Sequence, residues 1–198
     1  MGVKFRRCLP TDGSTGVRLA VLIVSSAAVL AAQPHYEQSS NKLAPFVPSP
    51  QPIVERMLEL ASVKAGETVF DLGCGDGRVL VTAAQRFKAK AVGIEISDRL
   101  VDQTNSRIAR LGLQEQVKVL KGDIREADLT GADVVVMYLM TGSNAQIRPR
   151  LEKFLKPGAR VVSYAYAVPG WKPSRVDRTD EQHGHTIYLY EMPPAPAK

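Results

Sequence analysis

The sequence predicts an α/β fold: a mostly parallel sheet with helices on both faces. Three observations predict it. From residue 53 onward, short β-rich runs alternate with helical stripes, the pattern of a parallel sheet. One of those runs, Asp133 to Tyr138 (DVVVMY), is apolar throughout, as expected of a strand buried on both faces. A glycine-rich turn also separates the first β-rich run from its helix, the place where such sheets bind a ligand.

Taken in order, Ile53 to Ala61 (IVERMLELA) spaces its apolar residues as one helical stripe, and Pro52 suits the first turn. Thr68 to Leu72 (TVFDL) is a short β-rich run, followed after the glycines by a helix over Arg78 to Phe87. Lys90 to Ile96 (KAVGIEI) is the second strand. Asp98 to Leu111 is the next helix, which Gly112 ends. Gln116 to Leu120 is the third strand and DVVVMY the fourth. The stretch Asn144 to Leu155 reads as a helix only if Pro149 kinks or breaks it. Arg160 to Tyr166 (RVVSYAY) is the fifth strand. Alternation then stops: Arg175 to Asp180 and Thr186 to Tyr190 are two strands joined by a polar loop, which predicts an antiparallel edge.

Before this domain, Leu19 to Ala32 (LAVLIVSSAAVLAA) is an uncharged apolar run of 14 residues behind basic residues. A membrane-spanning helix needs about 20 residues, and a signal-peptide core roughly 7–15. The run therefore fits a signal peptide or a short uncleaved anchor. Either would suggest export or membrane association. Residues 33–52 are rich in Pro, Ser and Gln and read as a linker. The expected organisation is a leader (1–32), a linker (33–52), a domain (53–192) and a Pro/Ala tail (193–198).

The net charge is +6, and residues 1–32 hold half of it: Lys4, Arg6, Arg7 and Arg18 against Asp12. The rest is spread without a basic run or an arginine cluster interleaved with aromatics, so no nucleic-acid signal stands out. Cys8 and Cys74 make neither a disulfide framework nor a metal spacing. His183 and His185 flank a glycine without further ligands at zinc spacing, and no metal site is expected.

The chemistry concentrates in VFDLGCGDGRV, Val69 to Val79. Gly73, Gly75 and Gly77 let a ligand approach the backbone, but their spacing is not the Gly-x-Gly-x-x-Gly of dinucleotide sites. Charge separates the ligands. Asp71 and Asp76 would repel a pyrophosphate and attract a cation. S-adenosylmethionine carries an ammonium and a sulfonium and no phosphate. Glu95 ends the second strand, 24 positions after Asp71, where an acid binds ribose hydroxyls. Asp123 follows the third strand and is placed to accept from an adenine amino group, with Ile96 and Ile124 flanking the base. Singly, Asp76 is a helix cap and Glu95 and Asp123 are solvated loop acids. Jointly, an acidic glycine turn followed by an acid at the end of each of the next two strands is a cofactor site.

These residues make the chain resemble class I S-adenosylmethionine-dependent methyltransferases over roughly residues 50–190. DLGCGDG is similar to their first motif, and Glu95 and Asp123 stand at their next two acidic positions. The resemblance implies a Rossmann-like seven-stranded sheet whose last strand runs antiparallel. A narrower resemblance rests on APFVPSP (Ala44 to Pro50), VERMLELA, DLGCGDGRV and VPGWKP (Val168 to Pro173). These are similar to the lysine methyltransferases of the ATP synthase c-subunit and of adenine nucleotide carriers, and to their bacterial relatives. That implies a protein lysine as methyl acceptor and membrane association, although the apolar run here is shorter than the family's anchor.

Methyl transfer is an in-line displacement, so the protein must align the acceptor and exclude water. Tyr138 ends the fourth strand, where it can orient the acceptor or meet a cation by its ring face, or simply pack under the next helix. Phe46 and Trp171 are candidate walls of the acceptor pocket; Phe46 equally suits a staple for the first helix, and Trp171 a place in the core. Three alternatives remain open: a small-molecule methyltransferase, a nicotinamide-dependent oxidoreductase, and a non-catalytic cofactor-binding module.

Overall fold

A computed structural model describes residues 46–180, 185–193 and 195–196. The leader, most of the linker, and Cys8, His35 and His183 lie outside the described residues. Among the described residues no helix is long and apolar enough to cross a membrane.

The elements follow the expected alternation: α1 (Gln51–Leu60), β1 (Thr68–Leu72), α2 (Arg78–Phe87), β2 (Lys90–Glu95), α3 (Asp98–Arg110), β3 (Val117–Lys121), β4 (Val134–Met137), α4 (Thr141–Phe154) and β5 (Arg160–Tyr164). There follow β6 (Trp171–Lys172), β7 (Arg175–Asp180), β8 (His185–Glu191) and β9 (Ala195–Pro196). Seven strands form one sheet in the order β3-β2-β1-β4-β5-β8-β7, while β6 and β9 pair separately. Strands β1 to β5 are parallel. The reversed strand expected near the end of the chain is β8. It lies inside the sheet, antiparallel to β5 on one side and β7 on the other. The edge belongs to β7, because the chain passes the vacant slot beside β5 and the hairpin then returns to fill it.

Period-two alternation along the central strands supplies both faces of the sheet. Val69, Val134, Val136 and Val162 pack with Val54, Leu58, Leu80, Ala83 and Ile108 of α1, α2 and α3. Phe70, Leu72, Val135, Met137 and Val161 pack with Ile147 and Leu151 of α4 on the other face. All four residues of β4 are buried, each worth about 1.5–3 kcal/mol of apolar burial.

Helix α4 starts earlier than expected, at Thr141, and is unbroken at Pro149. Pro149 cannot donate to the carbonyl of Ala145, but both residues are exposed, so water can satisfy that oxygen. The end of the sheet away from the glycine turn is tied by polar contacts. Arg160 donates to the Ala61 carbonyl at 2.8 Å and pairs with Glu67 at 2.6 Å. Asp133 accepts from the Thr68 backbone at 2.8 Å and pairs with Lys156 at 2.6 Å.

Strand β2 passes closely behind the glycine turn. A methyl group on Gly93 would stand 2.6 Å from both Cys74 Sγ and Leu80 Cδ1. Gly93→Ala should therefore destabilise the protein by about 1–3 kcal/mol through overpacking. Urea unfolding monitored by circular dichroism checks this, and an unchanged midpoint would contradict the packing described.

Candidate active site

Strand order reverses between β1 and β4, and the carboxyl ends of β1, β2 and β4 open there into a cavity. With its open mouth included, the space there is about 960 Å³. Asp71, Gly73, Gly75, Asp76, Glu95, Ile96, Asp123, Ile124, Tyr138 and Phe46 all line it. Two expected residues do not. Gly77 sits just behind the wall as the N-cap of α2. Trp171 is buried in the α4-side core, edge-on to Tyr190 at 5.4 Å, with its indole N–H donating to Glu152 at 2.8 Å. The two-residue strand β6 holds Trp171 there by pairing with β9, so it is not a wall of the cavity.

The glycine turn is shaped by its neighbours. Gly73, Gly75 and Gly77 all have positive φ. At Gly75 a side chain would also collide with the Phe46 ring, 2.3 Å away, and at Gly77 with Thr104 Cγ2, 2.4 Å away. Thr104 donates its hydroxyl to the Gly75 carbonyl at 2.7 Å. Glu95 closes the turn from the other side: one oxygen accepts from Gly75 N–H at 3.0 Å, the other from Ser97 N–H at 2.9 Å. Both bonds are buried, so Glu95 joins the turn to the end of β2 and still keeps lone pairs for a ligand's hydroxyls.

The electrostatics favour a cation. Burial, then the negative charges of Glu95 and Asp76, push the Asp71 carboxyl up to about 8. Both charges that act on it are negative, so a ligand cation beside it would bring the value down again. Asp76 is different. Burial works against its charge, but Arg78 and, more weakly, Arg107 hold its carboxyl below the ordinary range. Arg78 grips both carboxylate oxygens through Nε and Nη2, the latter at 2.6 Å, and donates Nη1 to the Ser49 carbonyl. Gly77 holds the N-cap position of α2, yet Asp76 accepts from the N–H of Arg78, the first residue of the helix, at 3.2 Å, and its carboxylate joins the turn through the Arg78 side chain to residues 46–49, all four of which line the cavity. Asp123 is likewise held below its ordinary range, first by the side-chain hydrogen bonds of Arg125, and it accepts from Arg125 N–H at 2.9 Å.

Beyond the acids Tyr138 lines the cavity, and Tyr164 and Tyr166 stand beside it. Tyr138 packs against Tyr164 with ring centroids 4.4 Å apart and lies near-parallel to Tyr166 at 6.4 Å. Burial and then Tyr166 raise the Tyr138 phenol above its ordinary value, so its hydroxyl stays protonated at neutral pH. Tyr166 is placed by a tight bend. Its N–H donates to the Tyr164 carbonyl at 2.8 Å and Ala165 has φ +64°, the marks of the rare γ-turn of positive φ, a strain of about 1–3 kcal/mol. Asn144, fully buried, secures the bend through Nδ2, which donates to the carbonyls of Tyr166 at 3.0 Å and Ala167 at 3.2 Å. Ser163 Oγ donates to the same Tyr166 carbonyl at 2.6 Å. Sequence reasoning missed Thr104, Arg78, Asn144 and Tyr166. Only the Tyr-x-Tyr alternation at 164–166 was visible beforehand.

Comparison with known proteins agrees with this geometry. Residues 71–175 match the ANTKMT methyltransferase domain family. A protein-lysine N-methyltransferase of Saccharolobus islandicus is 44% identical over 148 residues, covering 74% of this chain and 92% of that protein. The chain belongs to this methyltransferase family. It is an S-adenosylmethionine-dependent methyltransferase on a Rossmann-like sheet. The lysine N-methyltransferase of the ATP synthase c-subunit from Mus musculus is 30% identical over 75% of this chain, which spans 58% of that protein. An RNA methyltransferase of Salinibacter ruber, solved with S-adenosyl-L-homocysteine, superposes with a TM-score of 0.72 at 38% identity, over 77% of this chain and 97% of that one.

The methyltransferase should reveal its acidic pocket through proton linkage. Asp71 is raised in the folded protein, so its stabilising contribution is complete below the unfolded value near 3.8 and is lost as pH climbs towards about 8. Asp71→Asn should accordingly gain stability over the parent protein from pH 5 to pH 8 in ligand-free thermal melts, with the two converging near pH 4. A cationic cofactor lowers the Asp71 value, so binding near pH 7 should release more protons from the parent than from Asp71→Asn. Calorimetry in buffers of different ionisation enthalpy reads this, and equal release from both would contradict the site.

Proposed function

We propose that this methyltransferase acts on the side-chain amine of a protein lysine. The observation that carries the reading is the wall beyond the acids. It presents Tyr138, Leu139, Phe46 and Val47, and Arg78, already engaged with Asp76, is the one cation among the described lining residues. Such a mouth suits a long apolar side chain ending in an amine. The lysine methyltransferases among the relatives support it.

In this reading Asp71 and Asp76 hold the amino-acid arm of the cofactor against the turn of Gly73, Gly75 and Gly77. Glu95 accepts from the ribose hydroxyls, Asp123 from the adenine amino group, and Ile96 and Ile124 flank the base. The cofactor supplies an electrophilic methyl group on a sulfonium. Tyr138 orients the acceptor amine by its ring face and its protonated hydroxyl. Phe46, lying over Gly75, closes the cavity against water. A lysine ammonium has a pKa of about 10.4 and must lose a proton first. The apolar mouth disfavours the charged form, and the proton leaves to solvent, because Tyr138 is itself protonated and the acids face the cofactor.

A second reading, an RNA acceptor, draws on the Salinibacter ruber structure. The side chains around the cavity argue against it. Near the opening Lys121 pairs with Asp98, Arg125 with Asp123 and Arg78 with Asp76, so these cations are already engaged by carboxylates rather than open to a phosphate backbone.

Labelled S-adenosylmethionine given to the full-length protein with fractionated lysate, membranes included, should label material that protease destroys and ribonuclease spares. The opposite pattern would establish the RNA reading, and label only in a low-mass fraction would establish a small-molecule acceptor. With a protein acceptor, kcat/KM should rise about tenfold per pH unit between pH 7 and 9, as the neutral amine becomes available. Tyr138→Ala should lower kcat/KM by about 10–100-fold with little change in cofactor affinity. A loss confined to cofactor affinity would remove Tyr138 from the acceptor site.

A further inference from the structure

We propose that Tyr166 determines how many methyl groups the acceptor amine receives, by forming with Tyr138 an aromatic wall that retains the partly methylated amine for another transfer. The inference rests on the lysine reading and adds to it the methylation state of the product.

The loops after β4 and β5 emerge side by side, since Met137 pairs with Ser163 in the sheet. Tyr138 leaves the first and lines the cavity; Tyr166 leaves the second and lies within 20° of parallel to it. Tyr164 closes the cluster from the buried side. Tyr166 itself is 40% exposed, so its ring is not held by the core. It is nevertheless placed by an Ala165 backbone at φ +64° and by buried hydrogen bonds from Asn144 and Ser163 to its carbonyl. Asn144 spends its amide N–H groups on this bend while its Oδ1 finds no partner among the described residues. Strain and an unsatisfied buried oxygen are maintained to aim a ring that folding does not need.

The chemistry of successive transfers explains what the ring would do. In each round the amine lone pair forms a bond to the methyl carbon, the carbon–sulfur bond breaks, and its electron pair stays on sulfur as S-adenosylhomocysteine. The product ammonium then loses a proton to water before the next round. The third transfer yields a quaternary ammonium with no proton left to lose. Every added methyl removes an N–H donor, so a site of carboxylates or carbonyls would favour the unmodified amine. Aromatic faces attract the cation without any N–H, and their dispersion contact grows with each methyl. A tyrosine wall therefore holds the mono- and dimethylated amine at least as well as the first substrate.

The test follows label into mono-, di- and trimethyllysine after acid hydrolysis of total lysate protein methylated by the full-length enzyme. The parent should deposit label in di- and trimethyllysine. Tyr166→Ala should lower the ratio of these to monomethyllysine about tenfold, Tyr166→Phe should preserve it, and both should keep parental cofactor affinity and melting temperature. Asn144→Ala should shift the ratio in the same direction by freeing the bend. An unchanged ratio in Tyr166→Ala, or a parent enzyme that stops at one methyl, overturns the inference while leaving lysine as acceptor. No label in any lysine derivative overturns the lysine reading itself.

Discussion

A buried carboxylate surrounded by other carboxylates is stable as an ion only beside a cation, and this constraint organises the molecule. Asp71 stands at the end of β1 with Glu95 and Asp76 as its charged neighbours. In low-dielectric surroundings the three could not all remain charged without help. Arg78 provides it for Asp76, and Glu95 accepts from two backbone N–H groups. Among the described residues Asp71 has no cation beside it, which makes it the group most sensitive to a ligand's positive charge. That arrangement suits a sulfonium nucleoside with a free amine better than a phosphorylated nucleotide.

The glycine turn makes the constraint tolerable. Positive φ at three positions shapes a bend that is largely self-bonded: Gly73 and Cys74 donate to the Ile94 carbonyl and Gly77 donates to the Cys74 carbonyl. Glu95 accepts from Gly75 N–H and Thr104 anchors the Gly75 carbonyl, so a strand end and a helix both brace the bend. Gly93 lets β2 approach Cys74 from behind. Replacing Glu95 by alanine would strand two buried N–H donors, a cost of about 1–3 kcal/mol each, whereas glutamine retains an acceptor. In the proposed site, cofactor recognition and local stability are therefore joined at this residue.

Much of the site was legible in the sequence because its signals are local. The Gly-x-Gly-x-Gly spacing, the acids inside it, and the acid at the end of each following strand are short-range patterns, and the structure gathers Asp71, Asp76, Glu95 and Asp123 around one cavity. Phe46 was legible as a pocket wall, although the segment that carries it reads by composition as linker. For Trp171 the sequence left pocket wall and core equally open, and the pairing of β6 with β9 decides for the core. Asn144 left no local signal and Tyr166 only the Tyr-x-Tyr alternation, since their partnership spans 22 positions and exists only where α4 meets the β5 loop.

By itself the sequence determined the α/β class, the parallel strands, the reversed strand near the end and the cofactor's charge type. Periodicity and the placement of acids along single strands encode all of these. Tertiary structure decided which strand end faces which. The order β3-β2-β1-β4-β5-β8-β7 sets β1 beside β4 and β4 beside β5, and so brings Tyr138, Tyr164 and Tyr166 together next to the acids. Contacts between residues far apart in the chain depend on crossover topology and on how helices pack across the sheet, and no short-range pattern records either.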